Sequence, residues 1–103
     1  MSKQKLVIVG AGGMVGAAAA YACALRSVVE EIVLIDRSPE MAWGQAADIN
    51  DAMGLDRSVS VRSGDYDDIA TDDIVVITAG APQQPAQTRL ELLEVNVGIM
   101  RDI

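Results

Sequence analysis

The sequence of 103 residues predicts one α/β domain built on a parallel sheet, and three observations support this. An apolar run at 6–9 leads into a glycine cluster and then an alanine-rich stretch. A second apolar run at 32–35 ends in an aspartate. A third, at 74–78, shows no polar alternation, so we expect that strand to be buried on both faces of a parallel sheet.

The glycine cluster at 10–16 predicts a phosphate-binding turn between the first strand and the first helix. We expect Gly10 to make the tight turn and Gly16 to let the helix lie close on the strand. Gly12 or Gly13 would let phosphates approach the backbone N–H groups at the start of the helix. The spacing G-x-x-G-x-x-G is one residue longer than the common G-x-G-x-x-G. The candidate cofactor contacts of this turn are Gly10, Gly12, Gly13, Met14, Val15 and Gly16.

The same stretch also has features of a signal peptide or a membrane span. Residues 6–25 contain no charge over twenty positions. Four glycines and seven alanines, however, leave this run poor in bulky apolar surface, and a second strand follows it. We therefore favour a strand, a turn and a soluble helix over a membrane segment.

Asp36 ends the second strand, twenty residues after Gly16. That is the distance at which a carboxylate meets the ribose hydroxyls of a dinucleotide. The carboxylate should favour NAD over NADP, because it accepts hydroxyls and repels a 2′-phosphate. Arg37 is the neighbour that could weaken this preference.

Overall composition excludes several classes of partner. The 8 basic and 15 acidic residues give a net charge of −7, which argues against nucleic acid binding. Cys23 is the one cysteine of the sequence and is predicted to be a small core residue. A single cysteine cannot form an internal disulfide, and this suits a reducing cytoplasm. The sequence contains no histidine, and we assign no metal ligands.

Two helices and an edge strand complete the first half of the prediction. The first helix should run from about Gly13 to Arg26. The second should begin after an N-cap at Ser38 and end near Gly54, with Trp43 in packing or a subunit contact. Alternating apolar residues at 59 and 61 predict a half-exposed edge strand.

Right-handed crossovers between these strands predict the sheet order 3-2-1-4. This is the arrangement of a Rossmann-type doubly wound parallel sheet, of which the sequence would form about two-thirds. The point where the strand order reverses would then lie directly beside the glycine turn.

A loop of about ten residues with two prolines follows the last strand, and Thr88 is expected to open the next helix. Loops at the carboxyl ends of central strands often carry substrate groups. Arg89 could therefore present a planar cation to a carboxylate or a carbonyl. An ordinary arginine in the first turn of a helix explains the spacing equally well.

The stretch TAGAPQQP…TRLELLEVN at 78–96 resembles the NAD-dependent lactate and malate dehydrogenases. With the glycine turn, Asp36 and the DINDA segment at 48–52, this resemblance spans essentially the whole sequence. It implies that Asp36 binds the adenosine ribose and that Tyr66 lies near the adenine. The further cofactor contacts it implies are Thr78, Ala79, Gly80, Ala81 and Asn96.

The resemblance also implies roles for two residues of the loop. Arg89 matches the arginine that polarises the substrate carbonyl, which makes it the candidate catalytic residue. Gln83 matches the position that reads the far end of the substrate, where lactate enzymes carry glutamine and malate enzymes arginine. Leu90 is also lactate-like, whereas the longer glycine turn resembles several malate enzymes, and Ala86-Gln87 departs from the usual Gly-Glu or Gly-Met.

We therefore expect the N-terminal part of the dinucleotide-binding domain of an oxidoreductase, without its substrate and catalytic domain. In the family that the sequence resembles, a histidine held by an aspartate transfers the proton, and a second arginine binds the substrate carboxylate. The resemblance implies that these three residues lie downstream of residue 103. The expected enzyme uses NAD to interconvert L-lactate and pyruvate, or malate and oxaloacetate as the alternative. It is expected to be a cytoplasmic homo-oligomer, a dimer or tetramer, without nucleic acid or membrane partners. A stand-alone nucleotide-binding module and a non-catalytic or methyltransferase-like protein remain alternatives.

Overall fold

Strands and α-helices alternate along the chain in the computed structural model, which describes residues 4–54 and 58–103. A 3-10 turn at Tyr66–Asp68 interrupts the alternation before the last strand. The elements are β1 (Lys5–Val9), α1 (Met14–Arg26), β2 (Glu31–Ile35), α2 (Pro39–Met53), β3 (Ser60–Ser63), β4 (Ile74–Ile77) and α3 (Arg89–Asp102).

The four strands form one parallel sheet in the order β3-β2-β1-β4, which confirms the predicted order. Val9 of β1 lies opposite Ile35 of β2 and Ile77 of β4, so these three strands end at the same level. The residues that follow them therefore meet at one edge of the sheet. These are the glycine turn, Asp36 and Thr78.

Successive strand residues point to opposite faces of the sheet, and this divides the core into two clusters. The larger cluster lies under α1 and α2, where alanines and one isoleucine of the helices pack on the sheet. Ala20 and Ala24 of α1 are fully buried, so small side chains let this helix lie close to the strands. Cys23 is partly buried against this cluster. The smaller cluster on the other face consists of Val7, Val9, Val33 and Ile35.

β4 contradicts one prediction, because its four residues are 38–49% exposed and not buried on both faces. The strand lies at the edge of the sheet, where β1 is its only partner strand among the described residues. Helices α1 and α2 pack over β1, β2 and β3. A continuous apolar run therefore identified the strand correctly but did not show what covers it.

The ends of the helices agree with the predictions in position. Ser38 is the N-cap of α2, but its side chain makes no capping hydrogen bond. Gly54 ends the same helix with a φ of 61°. Thr88 opens α3 as expected from the sequence, and it also forms a reciprocal capping box with Glu91 that was not predicted. β3 is an edge strand whose Val61 is buried, and Trp43 on α2 is 67% exposed.

Ion pairs fasten the amino-terminal edge of the sheet. Lys5 pairs with Asp73 at 3.2 Å, and Arg62 bridges Glu31 at 3.1 Å and Asp68 at 3.2 Å. The backbone N–H of Asp65 and then the Arg62 guanidinium lower the pKa of Asp68 below its ordinary value. Within the described residues, no helix combines the length and the apolarity needed to cross a bilayer.

Candidate functional site

A cleft of about 740 Å³ opens at the carboxyl edge of the sheet, beside the point where the strand order reverses. Most of the predicted cofactor residues line it. They are Gly10 and Gly13 of the glycine turn, Asp36 after β2, Tyr66 after β3, and Thr78, Ala79, Gly80 and Ala81 after β4.

Gly10 and Gly16 bring the backbone of the turn against the end of β4. Gly10 has a φ of +92°, and a Cβ there would lie 2.6 Å from the backbone nitrogen of Ala79. A Cβ on Gly16 would lie 2.6 Å from the Gly10 carbonyl oxygen and 2.8 Å from the Thr78 hydroxyl oxygen. The tight turn predicted at Gly10 is confirmed. The nearest neighbours of a Cβ on Gly16 belong to the turn and to Thr78, so this glycine is needed for close packing on the turn.

Asp36 makes contacts that sequence reasoning missed. Its Oδ2 accepts the backbone N–H of Gly12 at 2.8 Å, and its Oδ1 accepts that of Ser38 at 3.0 Å. A Cβ on Gly12 would lie 2.8 Å from this carboxylate oxygen and from the Cβ of Met41. Gly12 is therefore needed for the approach of Asp36. Gly13, which lines the cleft, is the better candidate for the approach of phosphates.

Met14 and Val15 begin α1 with side chains that are 91% and 70% exposed. Neither side chain lines the cleft. The first N–H groups of a helix have no carbonyl partner within it, and at α1 they follow directly from the turn. What these two positions can offer an anion is their backbone.

Thr78 and Asn96 hold the walls of the cleft in place. The Thr78 hydroxyl donates to the carbonyls of Val9 at 3.1 Å and Gly10 at 3.3 Å, which joins β4 to the glycine turn. The side-chain oxygen of Asn96 accepts the backbone N–H of Ala81 at 2.8 Å. Asn96 does not itself line the cleft, so its contact supports the segment that does.

The two predicted substrate residues lie outside the cleft lining. The Gln83 amide donates to the Gln87 carbonyl at 2.9 Å, while the Gln87 side chain accepts the backbone N–H of Gln84 at 3.0 Å. Arg89, the first residue of α3, is exposed and has no ion pair or hydrogen-bonded side chain within the described ranges. The structure therefore places Gln83 on an exposed, internally bonded loop beside the cleft, and Arg89 at the start of the helix that follows this loop.

Residues at the end of α3 are lining residues that the sequence reasoning missed. Ile99, Asp102 and Ile103 border the cleft. They stand three and four positions apart, which places them on one helix face. That spacing is the signal that could have identified them. Arg37 also lines the cleft, next to Asp36.

A glycine turn between a parallel strand and a helix, an acid at the end of the next strand, and a cleft where the strand order reverses define a Rossmann-type dinucleotide-binding domain. Residues 4–103 match the family described as lactate/malate dehydrogenase, NAD binding domain. The chain belongs to this family, and its cofactor is NAD.

Both branches of the family occur among the similar sequences. Malate dehydrogenase of Halobacterium salinarum is 52% identical over 101 residues, which cover 96% of this chain and 33% of that protein. L-lactate dehydrogenase of Nitratidesulfovibrio vulgaris strain DP4 is 46% identical over 99 residues, which cover 96% of this chain and 32% of that protein. The chain spans about a third of the length of the curated relatives it matches.

Solved structures show the same fold. Minor L-lactate dehydrogenase from Enterococcus mundtii, in its ligands-bound form, matches with a TM-score of 0.89 and 44% identity, covering 96% of this chain and 32% of that chain. Malate dehydrogenase from Archaeoglobus fulgidus in complex with NADH matches with a TM-score of 0.84 and 39% identity, covering 96% of this chain and 34% of that chain.

Proposed function

We propose that this chain is the N-terminal, cofactor-binding part of an NAD-dependent oxidoreductase that interconverts a small 2-hydroxy acid and its 2-oxo acid. The favoured pair is L-lactate and pyruvate. The observation that carries this choice is a neutral Gln83, six residues before Arg89 on the loop that leaves β4 beside the cleft. Membership of the lactate/malate family supports the reaction class.

In this proposal, the cleft residues bind the adenosine and the pyrophosphate of NAD. Asp36 accepts the hydroxyls of the adenosine ribose, and Tyr66 lies near the adenine. The turn at Gly13 and the N–H groups that open α1 receive the pyrophosphate, because an anion is stabilised at the start of a helix. The cofactor supplies hydride transfer at its nicotinamide.

Arg89 and Gln83 act on the substrate in this proposal. The Arg89 guanidinium polarises the reacting carbonyl as negative charge develops on its oxygen. Gln83 faces the methyl end of pyruvate, where a neutral amide suits an apolar group. A second carboxylate, as in oxaloacetate, would lose its water there without gaining a cation. We assign the proton transfer to a residue outside these 103 residues, which contain no histidine.

The proposal requires the loop to move. Gln83 is bonded to the Gln87 carbonyl, and Arg89 lies exposed outside the lining of the cleft. Closure of the loop over the cleft would bring both side chains to the substrate and exclude water from it.

Substitution of Gln83 tests the substrate assignment in a full-length dehydrogenase that carries these residues. Gln83→Arg should shift the ratio of kcat/KM for oxaloacetate over pyruvate by orders of magnitude, because the new cation pairs with the second carboxylate. Gln84→Arg is the matched control, since it makes the same change one residue along the loop. An unchanged ratio in Gln83→Arg, or an equal shift in Gln84→Arg, would remove Gln83 from the substrate site.

Malate dehydrogenase is the second candidate function, and a specific observation favours it. The relative from Halobacterium salinarum, which is 52% identical, is a malate dehydrogenase. The longer glycine turn also resembles malate enzymes. If this reading is correct, oxaloacetate should be reduced faster than pyruvate without any substitution.

We also propose that the enzyme is a cytoplasmic homo-oligomer. The support is apolar surface on α2, where Met41 is 52% and Trp43 67% exposed. Exposed tryptophan and methionine side chains are enriched in contacts between subunits. Sedimentation of the full-length protein with and without Trp43→Ala tests this, and an unaltered monomeric state in both would contradict it.

A further inference from the structure

The segment that connects β3 to β4, residues 64–73, crosses the face of the sheet opposite α1 and α2. It contains the 3-10 turn at Tyr66–Asp68 and joins strands at the two edges of the described sheet. Gly64 lies directly on this face, because a Cβ there would lie 2.7 Å from the Cγ1 of Val33. Val33 belongs to the smaller core cluster. The connecting segment therefore packs on the face that carries this cluster.

Two cations of the strands lie on the same face. Residues two positions apart along a strand share a face, as do residues paired in register. Lys5 stands two positions before Val7 of the smaller cluster, so its side chain is on that face. Arg62 is paired in register with Val33, so its side chain is on that face as well. Both cations can therefore reach the connecting segment from the sheet.

Asp68 is the residue through which both cations hold the turn. The Arg62 Nη2 donates to the Asp68 Oδ1 at 3.2 Å, and the Lys5 ammonium donates to the Asp68 backbone carbonyl. The second carboxylate oxygen of Asp68 accepts the backbone N–H of Asp65 at 2.8 Å and completes the capping box of the turn. Lys5 also pairs with Asp73 at 3.2 Å. These contacts fix the turn relative to β1 and β3.

Tyr66 begins this turn and lines the cleft together with Asp36. Its side chain is 45% exposed, so the position of the ring depends more on the backbone of the turn than on surrounding side chains. The Tyr66 carbonyl accepts the backbone N–H of Ile69 at 3.2 Å, within the same turn. A shift of the turn on the sheet would therefore move the ring in the cleft.

We propose that Lys5 and Arg62 are positioning residues for the cofactor, which hold Tyr66 at the adenine through their contacts with Asp68. Neither cation lines the cleft, so the effect passes through the turn. This inference rests on the proposed role of Tyr66 near the adenine and adds the residues that set the strength of that contact. A displaced aromatic ring loses the stacking that it offers to a base.

Binding of the two halves of the cofactor to the full-length protein tests this proposal without any turnover. Arg62→Met should raise the Kd for 5′-AMP about threefold to tenfold, and change that for reduced nicotinamide mononucleotide by less than about twofold. Lys5→Met should act in the same direction, and Arg62→Lys, which keeps the charge, should restore most of the affinity. Arg26→Met is the matched control, because Arg26 is exposed in the last turn of α1 and has no ion pair within residues 4–54 and 58–103.

A double substitution shows whether the effect passes through Tyr66. In a Tyr66→Ala background, Arg62→Met should cause no further loss of affinity for 5′-AMP, whereas independent effects would multiply. Three results would overturn the proposal while leaving the role of Tyr66 in place. They are an unchanged Kd for 5′-AMP in Arg62→Met, an equal loss in Arg26→Met, and a full further loss in the double variant. An unchanged Kd for 5′-AMP in Tyr66→Ala would overturn both the proposal and that role.

Discussion

Gly10→Ala tests how strictly the glycine turn is fixed by its contact with β4. At a φ of +92°, an alanine is strained by about 1–2 kcal/mol. Its Cβ would also lie 2.6 Å from the backbone nitrogen and 2.9 Å from the Cα of Ala79. These atoms belong to the backbone, so the clash adds about 1–3 kcal/mol of overpacking. The variant should lose about 2–5 kcal/mol of unfolding free energy.

Gly44→Ala is the control, and it should have the opposite sign. Gly44 lies inside α2, and a Cβ there would have no heavy atom within 4 Å. An alanine in the interior of a helix is more favourable than glycine by about 0.5–1 kcal/mol. The two substitutions are chemically identical, so any difference between them reports the environment of each glycine.

Urea unfolding and titration with NADH measure both effects in the full-length protein. Gly10→Ala should also raise the Kd for NADH by about tenfold or more, because Ala79 and Gly10 both line the cleft. Gly44→Ala should leave NADH binding unchanged. If the free energy of unfolding of Gly10→Ala lay within about 0.5 kcal/mol of that of the parent, the contact between the turn and β4 would not require a glycine.

Two further predictions concern stability. The 103 residues purified alone should associate, because β4 exposes an uncharged β-branched edge. They should also lack dehydrogenase activity, because they contain no histidine for the proton transfer. A monomer in sedimentation that unfolds cooperatively would contradict the first expectation, and turnover of NADH with pyruvate would contradict the second. The folded protein lowers the pKa of Asp68 because it favours the charged carboxylate. The contribution of Asp68 to the free energy of unfolding should therefore be complete above its ordinary pKa of 3.8 and should be lost as the pH falls through the lowered pKa. Asp68→Asn should flatten the acid limb of a plot of unfolding midpoint against pH, and an unaltered limb would exclude this contribution.

The parts of the fold that the sequence predicted depend on local rules. Strand order follows from right-handed crossovers between runs that periodicity identifies, and the structure has that order. Gly10 and Gly16 were predictable because a tight turn and close packing exclude a Cβ. Thr88 was predicted to open α3 because threonine is a common N-cap residue, and the structure has it in that position.

The parts that were missed depend on contacts between distant residues. The exposure of β4 depends on what packs against the strand, which an apolar run does not encode. The hydrogen bond from Gly12 to Asp36 joins residues 24 positions apart. The spacing of Ile99, Asp102 and Ile103 indicates one face at the end of α3, but only the tertiary structure shows that this face borders the cleft. Local patterns thus predicted the elements, the glycine turn and Asp36, and the family resemblance predicted the lining residues Tyr66 and 78–81. Neither predicted the hydrogen bonds that fix the acid.

The rates of NADH oxidation by pyruvate and by oxaloacetate test the central claim most directly. The measurement uses purified full-length protein carrying these residues and follows NADH absorbance at steady state. The proposal predicts turnover with a higher kcat/KM for pyruvate, because Gln83 offers no cation to a second carboxylate. A higher kcat/KM for oxaloacetate would contradict the assignment of Gln83, and no oxidation with either acid would contradict the proposed reaction.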